Sequence, residues 1–328
     1  MTDKLTAKDF ATSQEVRWCP GCGDYAILKS VQKALAENGA DPANTAFVSG
    51  IGCAARFPYY VNTYGFHTIH GRAPAIATGL KLARPELDVW VVTGDGDSMS
   101  IGGNHMMHAL RRNVGLKILL FNNEIYGLTK GQFSPTSRIG TKSPSSPKGS
   151  VDTPVSPGQF AMGCGARFFA RGIDTDKVGM SDVLHHAHAF VGTSLVEIFQ
   201  NCIVYNEDVF ADFTGRQNAA NTQLHLKHGE PMLFGEANAS GISFNRETWS
   251  LEVVDASTSL DEVLVHDEGN AIVARMLIDL HLPVALGVIY RQPAVSYEDS
   301  FYGHHPSRME RTKSVRDFIK GPSSWTVE

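Results

Sequence analysis

The chain alternates two apolar patterns. Short, nearly continuous apolar runs occur at "NTAFVSG" (44–50), "DVWVV" (88–92), "LKILLF" (116–121), "TSLVEIF" (193–199) and "PVALGVIY" (283–290). Their length and β-branched content predict buried strands. Between them lie helical patterns. "YAILKSVQKALAENG" (25–39) spaces its apolar residues for one helix face and ends at Gly39. "APAIATGLKLAR" (73–84) is a small-residue helix suited to close packing on a sheet, and "NHMMHALRRN" (104–113) and "EGNAIVARMLIDL" (268–280) are further helices. "LHHAHAF" (184–190) is also helical; its histidines lack the i, i+4 spacing of a ligand pair and are expected on a solvated face. Strand–helix–strand alternation predicts an α/β fold, with a mostly parallel twisted sheet covered by helices on both faces.

Two stretches break this rhythm. "FSPTSRIGTKSPSSPKGSVDTPVSPG" (133–158) is rich in Pro, Ser and Gly. It fits either a solvated linker or a functional lid or partner-contacting arm, since long loops inside compact domains are commonly functional. After Tyr205 the pattern is irregular until the helix at 268–280. Residues 1–205 are expected to form the main unit and 206–328 a C-terminal extension. No internal repeat is present.

The unusual residues follow the strands. "GIGC" (50–53), "GDGD" (94–97), "NNEIYG" (122–127) and "QNC" (200–202) each come directly after a predicted strand. If those strands are parallel, all four motifs share the carboxyl edge, where open α/β sheets bind ligands. Glycines weaken strands, and aspartates are costly to bury unpartnered. Their placement therefore suggests an approaching anion with a cation. Asp95 and Asn123 offer side-chain oxygens, and a backbone carbonyl just beyond offers a third; with diphosphate oxygens and water they suit Mg²⁺. Gly94 and Gly96 let the backbone come close to the diphosphate, and the following helix can direct its N–H groups at it.

Composition narrows the class. The 328 residues are 42% hydrophobic with a net charge of −5, enough for a large core. No polybasic block suggests nucleic acid, no apolar run is long enough to span a membrane, and "MTDKLTAKDF" shows no signal-peptide pattern. A cytoplasmic protein is expected. The five cysteines, Cys19, Cys22, Cys53, Cys164 and Cys202, are an odd number and argue against a disulfide framework. One CxxC knuckle, "WCPGCG" (18–23), plus scattered cysteines could hold zinc or a [4Fe–4S] cluster.

"GDGDSMSIGG…LLFNNEIYG" resembles the thiamine diphosphate (ThDP) signature. Taken with "CPGCG", "GIGC", "HTIHGRAPAIATGLKLARPEL", "NNEIYGLTKGQ" and the late cysteine, in that order, it resembles the β subunits of 2-oxoacid:ferredoxin oxidoreductases over about residues 15–205, with a looser match beyond. The resemblance implies Mg²⁺ held by Asp95, Asn123 and the Ile125 carbonyl. It implies a [4Fe–4S] cluster on Cys19, Cys22, Cys53 and Cys202, leaving Cys164 as a small buried hydrophobe. Ile51, Gly52, Cys53, Ala54 and His70 match positions contacting ThDP. Gly94, Asp95, Gly96, Asp97, Asn123, Ile125, Gly127 and Leu128 match the diphosphate turns. His70 could instead be an ordinary buried histidine, and Asp97 could cap the following helix.

The reaction so implied is oxidative decarboxylation of a 2-oxoacid. Electrons pass through the cluster to ferredoxin, coenzyme A takes the acyl group, and low-potential ferredoxin could reverse the flow. The Glu that activates ThDP belongs to a pyrimidine-binding domain that is not apparent in this chain. An α subunit is expected to supply it, together with most of the coenzyme A site. Arg56 and Lys130 match positions near the substrate and could grip a second carboxylate; a surface charge or phosphate contact is the alternative for each. "NNEIYGLTKGQ" looks more like the 2-oxoglutarate and broad 2-oxoacid members than the pyruvate enzymes. A pyruvate or broad-specificity enzyme, a non-redox ThDP enzyme with structural zinc, and a stand-alone electron carrier are the alternatives.

Overall fold

The computed structural model describes residues 5–304 and 324–325. Its strands are β1 (Thr45–Ser49), β2 (Tyr64–His67), β3 (Asp88–Gly94), β4 (Leu116–Asn122), β5 (Ile125–Tyr126), β6 (Gln132–Phe133), β7 (Phe168–Ile173), β8 (Ser194–Phe199), β9 (Gln223–His225), β10 (Leu233–Phe234), β11 (Ser240–Asn245), β12 (Ser250–Asp255) and β13 (Val284–Arg291). Eight of them form the central sheet in the order β2-β1-β3-β4-β8-β7-β13-β9. Every neighbouring pair is parallel except β7 and β13. Strands β5 and β6 make a short ribbon, and β10, β11 and β12 a small separate sheet.

Alternation along the strands divides the core into two layers. Val89 and Val91 of β3 and Leu116, Ile118 and Leu120 of β4 face one layer; Trp90, Val92, Leu119 and Phe121 face the other. The first layer is closed by α2 (Ala73–Ala83), α4 (Gly103–Arg112), α5 (Pro157–Gly163) and the Ala271–Asp279 helix. Ala73, Ala77 and Ala109 keep the first two close to the sheet. The second layer is closed by α1 (Asp24–Glu37) through Ile27, Val31 and Leu35, and by α6 (Lys177–Ala189) through Val183, Leu184 and Ala187. Because both faces are covered, β4 is buried at every position. No helix among the described residues is long and apolar enough to cross a membrane.

Two of the three histidines of α6 are tied to neighbouring elements, which a simple solvated face would not show. His185 Nε2 lies 3.1 Å from Glu37 Oε2 of α1, and His188 Nε2 lies 3.1 Å from Asp88 Oδ2 with its ring stacked on Trp90. His186 lies 3.7 Å from Asp182 of its own helix. For His185 and His188, carboxylates on neighbouring elements make a docking seam that the helix's own sequence does not reveal. Strands β9 and β13, from the chain beyond 205, extend the central sheet past β7.

Candidate active site

Strands β1, β3, β4 and β8 are consecutive, parallel neighbours. The turns after them, carrying GIGC, GDGD, NN and QNC, therefore lie side by side. They enclose a cavity of about 620 Å³. Ile51, Gly52, Cys53, Ala54, His70, Gly94, Asp95, Gly96, Asp97, Asn123, Ile125, Gly127 and Leu128 all line it, as do Asp24, Phe121, Tyr126, Thr129, Gln132, Phe133 and Gln200, which sequence reasoning did not single out.

Asp97 ties the turns together. Its Oδ1 accepts from Ile51 N (3.1 Å), Gly71 N (2.7 Å) and His70 Nδ1 (2.6 Å), and its Oδ2 from Thr93 Oγ1 (2.7 Å). It is not a helix cap: α3 (Asp95–Met99) begins after Gly94 with no side-chain cap, and Asp97 lies inside its first turn, turned back toward the preceding loops. His70 is thereby oriented by a buried carboxylate while its ring reaches the cavity.

Asp95 is 2% exposed. Its Oδ2 accepts from Ser134 Oγ and Thr136 Oγ1, both at 2.6 Å. Burial raises its carboxyl above the ordinary range, and the two hydroxyls offset only part of that rise. Among the described residues no Lys, Arg or His forms an ion pair with it. A buried carboxylate without a cationic neighbour fits a bound metal ion. Beside it, Tyr126 donates to Gly96 O (2.8 Å), and a Cβ on Gly96 would stand 2.3 Å from the Tyr126 ring. Glycine at 96 makes room for the Tyr126 ring to pack against the GDG turn.

The NN turn is braced from β8. Asn122 Nδ2 donates to Glu197 Oε1 (2.9 Å), and Glu197 Oε2 accepts from Arg171 Nε (2.8 Å) in a buried ion pair. Asn123 Nδ2 donates to Gln200 Oε1 (2.7 Å), and Asn123 Oδ1 accepts from Ile125 N (3.2 Å). Glu124, at φ 55°, sits at the tip of the turn. It pairs with Arg138 (3.2 Å), and burial pushes its carboxyl up to about 7.

The cysteines meet the cavity at Gly127. A Cβ there would lie 3.6 Å from both Cys53 Sγ and Cys202 Sγ. Cys22 Sγ accepts from Gln200 Nε2 (3.3 Å). Burial drives the Cys22 thiol far up and the Cys53 thiol to about 12. Asp24 adds to both shifts; Cys202 and Cys53 add to the first, and Cys202 and Cys19 to the second. Cys19, Cys22, Cys53 and Cys202 thus share one electrostatic neighbourhood in which thiolates need a nearby cation. No group of three His, Cys, Asp or Glu among the described residues is placed to hold a single metal ion. Cys164 lies apart, capping α5 and packing on the core. Asp24 is buried beside this group with no hydrogen bond of good geometry to either carboxylate oxygen among the described residues, and burial pushes its carboxyl up to about 7, with the Cys22 thiol pulling the other way.

Two expected substrate residues are not in the lining. Arg56 donates from Nε to Tyr60 Oη (3.0 Å) and lies over the Tyr59 and Tyr60 rings. Lys130 is exposed in the β5–β6 ribbon at φ 75°. In contrast, Ser134, Thr136 and Ser137, from the Pro- and Ser-rich stretch, are buried against the site.

A cavity clasped between GDG and NN turns on the carboxyl edge of a parallel sheet defines the diphosphate-binding half of a thiamine diphosphate enzyme. Residues 50–198 match the family described as thiamine pyrophosphate enzyme, C-terminal TPP binding domain. Over 332 aligned residues the chain is 46% identical to the 2-oxoglutarate oxidoreductase subunit KorB of Mycobacterium tuberculosis, covering 98% of this chain and 88% of that one. It is 45% identical to the 2-oxoacid:ferredoxin oxidoreductase 1 subunit beta of Aeropyrum pernix, over 60% of this chain and 62% of the relative. Its backbone matches a 2-oxoglutarate:ferredoxin oxidoreductase from Magnetococcus marinus, solved with 2-oxoglutarate, coenzyme A and succinyl-CoA bound, at a TM-score of 0.79 and 29% identity, covering 98% of this chain and 97% of that one. The chain belongs to the β subunits of 2-oxoacid:ferredoxin oxidoreductases. It is an oxidoreductase subunit.

Proposed function

We propose that the assembled enzyme converts 2-oxoglutarate and coenzyme A to succinyl-CoA and CO₂, passing the electrons through a [4Fe–4S] cluster to ferredoxin, with reductive carboxylation as the reverse reaction. The observation that carries this reading is the position of Gly127, at once a wall of the cofactor cavity and in contact range of Cys53 and Cys202. A cluster held by these cysteines would lie beside the reaction site, which supports an electron acceptor there. The 2-oxoglutarate named for the Mycobacterium tuberculosis and Magnetococcus marinus proteins supports the substrate.

Bound ThDP supplies the electron sink that lets a 2-oxoacid lose CO₂. The chain's own residues hold and orient it. Asp95, Asn123 and the Ile125 carbonyl would ligate Mg²⁺, with the buried Asp95 carboxylate as the charged member. Asp97 keeps His70 and the Ile51 and Gly71 amides in register at the cavity wall. Cys19, Cys22, Cys53 and Cys202 would ligate the cluster. Arg56 and Lys130 are our candidates for the second carboxylate of the substrate, reached from outside the lining. The α subunit supplies the activating Glu and most of the coenzyme A site. We assign residues 1–205 to the ThDP unit and 206–328 to a C-terminal extension, two of whose strands, β9 and β13, continue the central sheet, in a cytoplasmic enzyme. Iron, acid-labile sulfide and thiamine assays on the anaerobically purified heteromer test this reading. Four irons and one ThDP per β chain are expected; zinc in place of iron would overturn the redox assignment.

A further inference from the structure

We propose that Ser134 and Thr136 are positioning residues that latch the Asp95 carboxylate for a divalent cation. The inference rests on reading Asp95 as a Mg²⁺ ligand and deepens it.

Both hydroxyls reach the same oxygen, Asp95 Oδ2, at 2.6 Å. Each hydroxyl has one proton, and a short contact to a carboxylate is where that proton is best used. Two donors on one oxygen fix the rotation of the carboxylate and leave Oδ1 as the oxygen without a side-chain donor among the described residues. Both donors are neutral. They stabilise the anion without supplying the countercharge that a lysine or arginine would, so the carboxylate keeps its charge for the metal. All three residues are buried, with Asp95 in the cavity lining.

The latch is itself anchored. Ser137 Oγ donates to Glu124 O and accepts from Ser134 N (2.7 Å). Arg138 pairs with Glu124 and donates from Nη2 to Val209 O (2.7 Å). Residues 134–138 therefore tie the GDG turn, the tip of the NN turn and the segment beyond Cys202 together. A solvated linker would do none of this.

The test is Mn²⁺ binding to the full chain assembled with its partner subunit, with ThDP present, read from the EPR signal of free Mn²⁺. Wild type should bind, and Asp95→Asn should not. Ser134→Ala and Thr136→Val should each bind roughly ten-fold or more weakly, while Thr136→Ser, which keeps the hydroxyl, should bind like wild type. Melting temperature without Mn²⁺ is read alongside. Wild-type affinity in both Ser134→Ala and Thr136→Val would overturn the latch and leave the cation reading standing. Thr136→Ser failing as badly as Thr136→Val, with matching losses of melting temperature, would show a packing role and overturn it as well. No Mn²⁺ binding by wild type would overturn the cation reading, and the latch with it.

Discussion

Gly50 and Asp97 are fitted to each other: a Cβ on Gly50 would stand 1.7 Å from Asp97 Oδ2. The first glycine of GIGC is there to leave room for a carboxylate that arrives from the next strand's turn. Gly50→Ala should displace Asp97 and loosen all the donors it gathers. Asp97→Asn should do the same by turning an amide N–H toward them. Hydrogen bonds to a charged group are worth about 1.5–3 kcal/mol each, so each variant is expected to lose about 3 kcal/mol and to bind ThDP at least ten-fold more weakly. Calorimetric titration of ThDP into the apo-heteromer, with its melting temperature, checks both.

Arg171 and Glu197 form an ion pair with side chains only 7% and 1% exposed. Arg171→Ala leaves Glu197 charged, buried and unpaired, and should cost about 3–5 kcal/mol. Arg171→Met combined with Glu197→Gln should cost less than Arg171→Ala, because no lone buried charge remains. Denaturant titration of both variants checks the order; a double variant as unstable as Arg171→Ala would contradict it.

Lys117 supplies a pH signature away from the cavity. Its Nζ donates to Phe190 O (2.8 Å), and burial lowers its pKa from 10.5 to about 8, against the pull of Asp88. Between about pH 8 and 10.5 the folded chain has released this proton and the unfolded chain has not. The unfolded state then binds more protons, so this residue's contribution to stability rises with pH across that window and falls away as pH drops through about 8. The full span is about 3 kcal/mol. Lys117→Met should flatten that rise relative to wild type, as read by denaturation at pH 7.5, 9 and 10.

The cysteines separate into two kinds. Alanine at Cys19, Cys22, Cys53 or Cys202 should strip the iron, whereas Cys164→Ala should keep it and lose only packing, about 1 kcal/mol. Iron and sulfide content with the 400 nm absorbance of each variant decides this. Full iron in Cys202→Ala would break the assignment.

The sequence exposed the carboxyl-edge motifs because each sets glycine, acid or amide directly after an apolar run, where ordinary strands end in simpler turns. It hid β7. "FFARGI" carries Arg171 and Gly172 inside a strand, and the pairing of Arg171 with Glu197 on β8, with its bond to Ile278 O, explains a buried cation there. It also hid Ser134 and Thr136. Hydroxyl side chains among prolines mark solvated loops, yet the same groups suit a buried carboxylate, and 39 residues separate Ser134 from Asp95. His185 and His188 were missed for a like reason, since their partners lie on α1 and β3. Contacts within one turn or one strand could be read; those that needed the sheet order could not.

The most direct test of the whole account is ferredoxin reduction by the anaerobically purified heteromer with 2-oxoglutarate, followed with and without coenzyme A and with pyruvate in its place. Reduction should depend on both 2-oxoglutarate and coenzyme A, run far slower with pyruvate, and disappear in Cys202→Ala. Ferredoxin that stays oxidised with 2-oxoglutarate and coenzyme A, or that is reduced faster with pyruvate, would contradict it.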